Sequence, residues 1–162
     1  MTPKKESDLP MATIITPERP DSPAALTLIS ELDDYLNALY PPESRNGFSV
    51  EKLMADGVAF FVAHHNEVAV GCGGVKLYGT EYAEIKRMYV RPSFRGLGLG
   101  RLMLDHLTDY AREKGVELLR LETGIHQLAA IRLYEQVGFL RIPPFGEFRE
   151  DPLCLCYEKR IA

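Results

Sequence analysis

The 162-residue chain has no excess of positive charge, no long apolar run and no cysteine framework. Its 19 Lys and Arg face 23 Asp and Glu, a formal net charge of -4, which excludes wholesale nucleic-acid binding through a basic surface. No apolar stretch approaches the ~20 residues of a membrane span. The opening "MTPKKESDLP" has two lysines with no apolar core behind them, so it reads as a disordered tail (1–10) rather than a secretory leader. One domain over 11–162 is expected. Cys72, Cys154 and Cys156 are too few for a disulfide scaffold and predict reduced thiols in a cytoplasmic protein. His64, His65, His106 and His126 have no partner at metal-ligand spacing, so no metal is expected. A serine or cysteine nucleophile triad also lacks support.

Hydrophobic periodicity supplies the elements. "MATIITP" (11–17) predicts a strand. Ser22 as N-cap and Pro23 at the first helical position open a helix over 21–40, stopped before Pro41-Pro42. A second helix is expected between Ser49 and Gly57. Three strands follow over 58–65, 67–78 and 81–90, and their short links imply an antiparallel meander. The period then changes to helical from Leu99 to Gly115. A strand (116–123), a helix (127–137) and two strands (139–142 and 153–159) complete an α/β domain around a mixed sheet.

Between the meander and its helix lies "RPSFRGLGLGRLML" (91–104). Arg95 and Arg101 flank Gly96, Gly98 and Gly100 where a helix N-terminus already carries about half a positive charge. An anion would resolve that clustering. A P-loop fails, because Arg101-Leu102 stand where Lys and a metal-ligating hydroxyl are required. A Rossmann fingerprint is weak, because the turn follows an antiparallel meander. What remains is Arg95-x-x-Gly98-x-Gly100, able to admit a phosphate close to the backbone. On these residues alone, a structural glycine turn with solvated arginines is an equal reading.

The same stretch resembles the pyrophosphate signature of the GNAT superfamily of acetyl-CoA-dependent N-acetyltransferases: Arg or Gln, two residues, Gly, one residue, Gly or Ala. A second signature of that superfamily resembles "QLAAIRLYEQVGF", with Ala130, Leu133, Tyr134, Gly138 and Phe139 matching and Gln127 in place of the usual Asn. The phrases "LYPPES", "AEIKRMYVRP", "RLETG", "PPFGEF" and "DPL" resemble one bacterial subgroup. The resemblance implies a single-domain GNAT fold: a mixed, mostly antiparallel sheet of six to seven strands flanked by four helices. It implies acetyl-CoA as cofactor and direct acetyl transfer to a primary amine in a ternary complex. Gly96, Leu97, Leu99 and Arg101 join Arg95, Gly98, Gly100 and Gln127 as cofactor-binding positions. The backbone of Met88, Tyr89 and Val90 would pair with the pantetheine arm and hold the oxyanion. The family leaves a homodimer open.

Two side chains have chemistry that suits the reaction. A free tyrosine titrates near pH 10 and a thiol near about 8.5, so Tyr134 can protonate a departing thiolate. By resemblance its counterpart lies near the CoA sulfur. Glu84 lies on the strand 11 residues before Arg95, the offset of the strand-borne general base in the family. An ion pair of Glu84 with Lys86 or Arg87 is an equal reading. The acceptor, a small-molecule amine, is expected between the loops 39–48 and 143–152. Tyr40, Glu43, Phe145, Glu147 and Phe148 are its candidate contacts, with Arg45 or Arg149 added for an acceptor of both charge signs. Solvated loops with aromatics tucked into the core are the alternative. A non-catalytic acyl-CoA-binding module is the other functional class, and it could dispense with Tyr134 and Glu84.

Overall fold

The computed structural model describes residues 12–162, so the expected tail at 1–10 lies outside the described residues. Seven strands form one sheet in the order β1-β2-β3-β4-β5-β7-β6. They are β1 (Thr13–Pro17), β2 (Ala59–His65), β3 (Val68–Tyr78), β4 (Tyr82–Val90), β5 (Leu118–Gly124), β6 (Leu140–Ile142) and β7 (Cys154–Arg160). Four helices flank it: α1 (Pro23–Leu39), α2 (Val50–Ala55), α3 (Leu99–Glu113) and α4 (Leu128–Gln136). Short 3-10 turns occupy Pro42–Ser44 and Pro92–Phe94. Among the described residues no helix is long and apolar enough to cross a membrane.

Local chemistry sets the helix starts. Ser22 Oγ accepts the Ala25 N–H at 3.1 Å and Ser49 Oγ accepts the Lys52 N–H at 3.1 Å, each satisfying an orphan donor of a first turn. Period-two alternation then sorts β2 between two cores. Phe60 and Val62 pack with Leu28, Ile29 and Leu32 of α1 on one face. Phe61 and Ala63 pack with Met103 and Leu107 of α3 on the other.

Every strand pair is antiparallel except β4–β5. That parallel ladder joins only Ala83 to Leu119 and Glu84 to Arg120. Beyond Glu84 the two strands diverge, and a bulge accounts for it. On β3, Cys72 pairs with Tyr89 and Gly74 with Lys86, so Gly73 lies opposite both Arg87 and Met88. Arg87 takes the extra position with φ of 56°. The added residue bends β4 and sharpens its twist, which carries its second half away from β5. β7 inserts between β5 and the three-residue β6, a non-local pairing that strand periodicity does not predict.

Candidate active site

The glycine turn opens α3 as the arginine clustering implies. Gly96 and Gly98 have φ of 82° and 84°, values that L side chains rarely adopt, and a Cβ at either would meet nothing within 4 Å. The backbone conformation, not crowding, therefore demands glycine here, and the space beside the turn is open. Gly98 caps α3 without a side-chain hydrogen bond, and the first turn has no acidic residue. The helix start thus presents amide donors and positive dipole toward that space.

Arg95 is exposed at its edge. Its Nε donates to the Val90 carbonyl at 2.9 Å, and its guanidinium lies 5.7 Å from the Tyr35 ring and 5.9 Å from the Tyr89 ring. Among the described residues, Arg101 makes a long contact of 3.6 Å to Asp105, between two exposed side chains. The turn continues into a groove of about 440 Å³ between β4 and α4. Met88, Tyr89 and Val90 form one wall; Ala130, Leu133 and Tyr134 form the other. Leu99 is buried in the core and Leu97 packs against it, so of the turn residues these two serve mainly to seat α3. Gln127 caps α4, and its Oε1 accepts the Gly124 N–H at 2.9 Å.

A second, smaller cavity of about 80 Å³ fills the split between β4 and β5. Met88, Gln127 and Tyr134 line both it and the groove, so the two spaces meet at these residues. Tyr134 is buried, and its hydroxyl donates to Met88 Sδ at 3.9 Å, a weak contact. Burial first, and the nearby Glu122 carboxylate second, raise its pKa well above the ordinary tyrosine value. Tyr134 therefore keeps its proton throughout the neutral range.

Glu84 and Lys86 also line this cavity, paired at 3.1 Å with both side chains buried. The Tyr78 hydroxyl donates to Glu84 at 3.3 Å. The ion pair that the sequence allowed is thus formed, and it occupies the carboxylate. Glu122, at the inner end of β5, is a carboxylate that sequence reasoning passed over. It lines both the split and an outer pocket under the 143–152 loop. Burial raises its pKa above the usual carboxylate range, opposed by contacts from Cys154 and Asn46, whose Nδ2 lies 3.4 Å from Oε2.

The two loops divide. Tyr40 lies in the cavity wall, where its hydroxyl accepts the His126 N–H at 3.0 Å and its ring stacks on His126 at 5.6 Å. Phe148 lines the outer pocket. Phe145 is instead buried in an aromatic cluster, 5.8 Å from the Tyr82 ring and 5.1 Å from that of Phe148. Glu43 and Glu147 are exposed and line neither space, because the turns that hold them point them to solvent. Burial raises the Cys72 thiol to about 12 and Cys156 to about 11, so neither is a nucleophile at neutral pH. Among the described residues no cluster of three or more His, Cys, Asp or Glu could hold a metal.

Residues 27–139 match the Acetyltransferase (GNAT) family. The chain belongs to that family. This acetyltransferase is 42% identical to the "IAA acetyltransferase" of Azospirillum brasilense, over 94% of this chain and 100% of that one. It shares 33% identity and a TM-score of 0.78 with a solved Klebsiella pneumoniae protein provisionally named an acyl-CoA N-acyltransferase, covering 93% of this chain and 98% of that one. YncA of Salmonella typhimurium, solved with acetyl-CoA, has the same fold at 23% identity and a TM-score of 0.66, over 93% of this chain and 95% of YncA. The acetyltransferase's GNAT fold is therefore the seven-stranded sheet and four helices described above. Glu122 and Arg87 line the split, and neither is a candidate contact from the sequence. "RLETG" offered a lone carboxylate on an apolar strand, the only available signal for the first.

Proposed function

We propose that this acetyltransferase holds acetyl-CoA along the groove and transfers the acetyl group to a primary amine in the β4–β5 split, by direct attack in a ternary complex. The observation that carries this reading is the position of Tyr134, whose weakly engaged hydroxyl stands where the two spaces meet. Gly96, Gly98 and the start of α3 suit a diphosphate, with Arg95 and Arg101 as its counter-charges. The fit rests on the open space beside both glycines.

The cofactor supplies an acetyl thioester. Glu122 takes the proton that an ammonium must lose before its nitrogen can attack, directly or through one water. A carboxyl with a raised pKa is a stronger base than an ordinary one, which favours Glu122 over the paired Glu84. The edge of β4 past Glu84 has no ladder to β5, so backbone N–H groups among Met88–Val90 can receive charge developing on the acyl oxygen. As the new C–N bond forms, the attacking nitrogen becomes cationic and releases its second proton to solvent; as the C–S bond breaks, Tyr134 gives its proton to sulfur and regains one from solvent.

Calorimetry with acetyl-CoA, together with thiol release across a library of primary amines and, separately, with IAA, tests the reading. Binding with thiol release for at least one amine is expected. Binding without release for any amine would assign the chain to the non-catalytic class.

A further inference from the structure

Among the described residues, only two buried side-chain nitrogen or oxygen atoms have no hydrogen-bond partner: Arg45 Nε and Arg87 Nε. Both arginines line the β4–β5 split. Two unpaired donors on arginines that line one small cavity are unusual, because a buried polar group without a partner is costly and native structures leave few.

We propose that Arg87 and Arg45 anchor an anionic group of the acceptor, so that the acceptor is a small primary amine that also bears a carboxylate or similar acid. This rests on the transferase reading above and specifies its substrate. Arg87 is 8% exposed. Asp33, on α1, accepts from its Nη2. The backbone of Gly47 roofs its Nη1, where any Cβ would overlap the guanidinium. Arg45 donates to Asn37, a neutral partner, so its charge has no counter-ion there. Lys86 is the poorer anchor: its ammonium is held by Glu84 at 3.1 Å, with both side chains buried, whereas the Asp33 that pairs with Arg87 is half exposed and leaves Arg87 Nε unpartnered. Glu122 supplies the opposite sign in the same cavity. A guanidinium fork suits a carboxylate in two parallel hydrogen bonds, and a cavity of about 80 Å³ requires the two charges of the ligand to lie close together. An acceptor with adjacent ammonium and carboxylate groups meets both demands.

The rival is that Arg87 merely latches α1 to the sheet through Asp33. Matched amines separate the two: L-phenylalanine against phenethylamine, L-leucine against isoamylamine, L-lysine against cadaverine, each assayed by thiol release. The anchor predicts that at least one acid exceeds its decarboxylated partner by about tenfold to a hundredfold in kcat/KM, the worth of a charge-assisted bond. Arg87→Gln should erase that preference chiefly through the acceptor KM, leaving the acetyl-CoA KM near wild type. Asp33→Asn breaks the latch but keeps the guanidinium, so it should keep the preference. Turnover of the bare amines as well as or better than the acids overturns the anchor while sparing the transferase. Equal loss of preference in Asp33→Asn and Arg87→Gln also overturns it. If Arg87→Gln does not fold, Arg45→Gln must weaken the preference, and an unchanged preference counts against the proposal. No thiol release from these acids while other amines of the library turn over overturns the anchor alone; no release from any amine, with acetyl-CoA bound, removes the transferase reading with it.

Discussion

The Tyr134 hydroxyl lies 3.9 Å from Met88 Sδ, across the opening that the β4 bulge creates. Neither partner satisfies the other well, since a thioether is a weak acceptor. The phenol is buried, protonated and free to donate to a better base. A core tyrosine retained for packing would be expected to spend its O–H on a carbonyl or a carboxylate, as Tyr157 does with Glu135 at 2.8 Å.

Tyr134→Phe should therefore bind acetyl-CoA almost as the wild type does. Its turnover should fall by about 10²- to 10⁴-fold, the usual worth of a positioned acid. Calorimetry and thiol release read the two effects separately. An unchanged rate would take Tyr134 out of the reaction.

Glu122 leads to a pH prediction. Its folded-state pKa is raised, so kcat/KM should decline on the acid side with an apparent pKa above the ordinary carboxylate value of 4.5. Glu122→Gln should abolish that limb along with most of the rate. Stability runs the opposite way. A raised carboxyl favours the native state below its unfolded pKa, and that advantage is lost as pH rises toward the folded value. The Gln variant should show a flatter stability curve above about pH 4.5 than the wild type in denaturant titrations.

The Glu84–Lys86 pair predicts a stability effect that exceeds any catalytic one. Glu84→Gln leaves an ammonium that is 5% exposed without its counter-ion. The cost should be about 3–5 kcal/mol, read from the urea midpoint. Replacing both residues with apolar ones of similar volume should recover most of that loss. If the single variant is as stable as wild type but inactive, Glu84 rather than Glu122 takes the proton.

Arg95→Ala should weaken acetyl-CoA binding by about tenfold to a hundredfold, the range for a hydrogen bond to a charged group. The side chain is exposed and gives the fold its bond to the Val90 carbonyl and two long contacts to the Tyr35 and Tyr89 rings, so stability should fall by no more than about 2 kcal/mol. Equal affinity in the mutant would remove the diphosphate from the glycine turn.

Local chemistry alone located much of this protein. Ser22, Pro23 and Ser49 placed two helix starts, and the change from period two to helical spacing placed α3 after the meander. The glycine turn stood out by its own residues as one of two equal readings, and the resemblance of "QLAAIRLYEQVGF" to a GNAT signature singled out Tyr134; both line one groove. Tyr40 was expected in the loop 39–48 walling the acceptor, and it lines the split.

Tertiary structure decided the rest. Strand periodicity says which face a residue takes but not which strand lies next to it, so the insertion of β7 between β5 and β6 is set by packing. Glu84 and Glu122 are both carboxylates on apolar strands. The Glu84–Lys86 pair was open to the sequence, because residues two apart share a strand face. That Glu122 lines both the split and the outer pocket was not, because its surroundings come from segments far away in the chain. The same holds for Arg87: a bulge turned one residue of a continuous strand into a cavity-facing cation, and the extra residue shows only when β3 is laid beside β4.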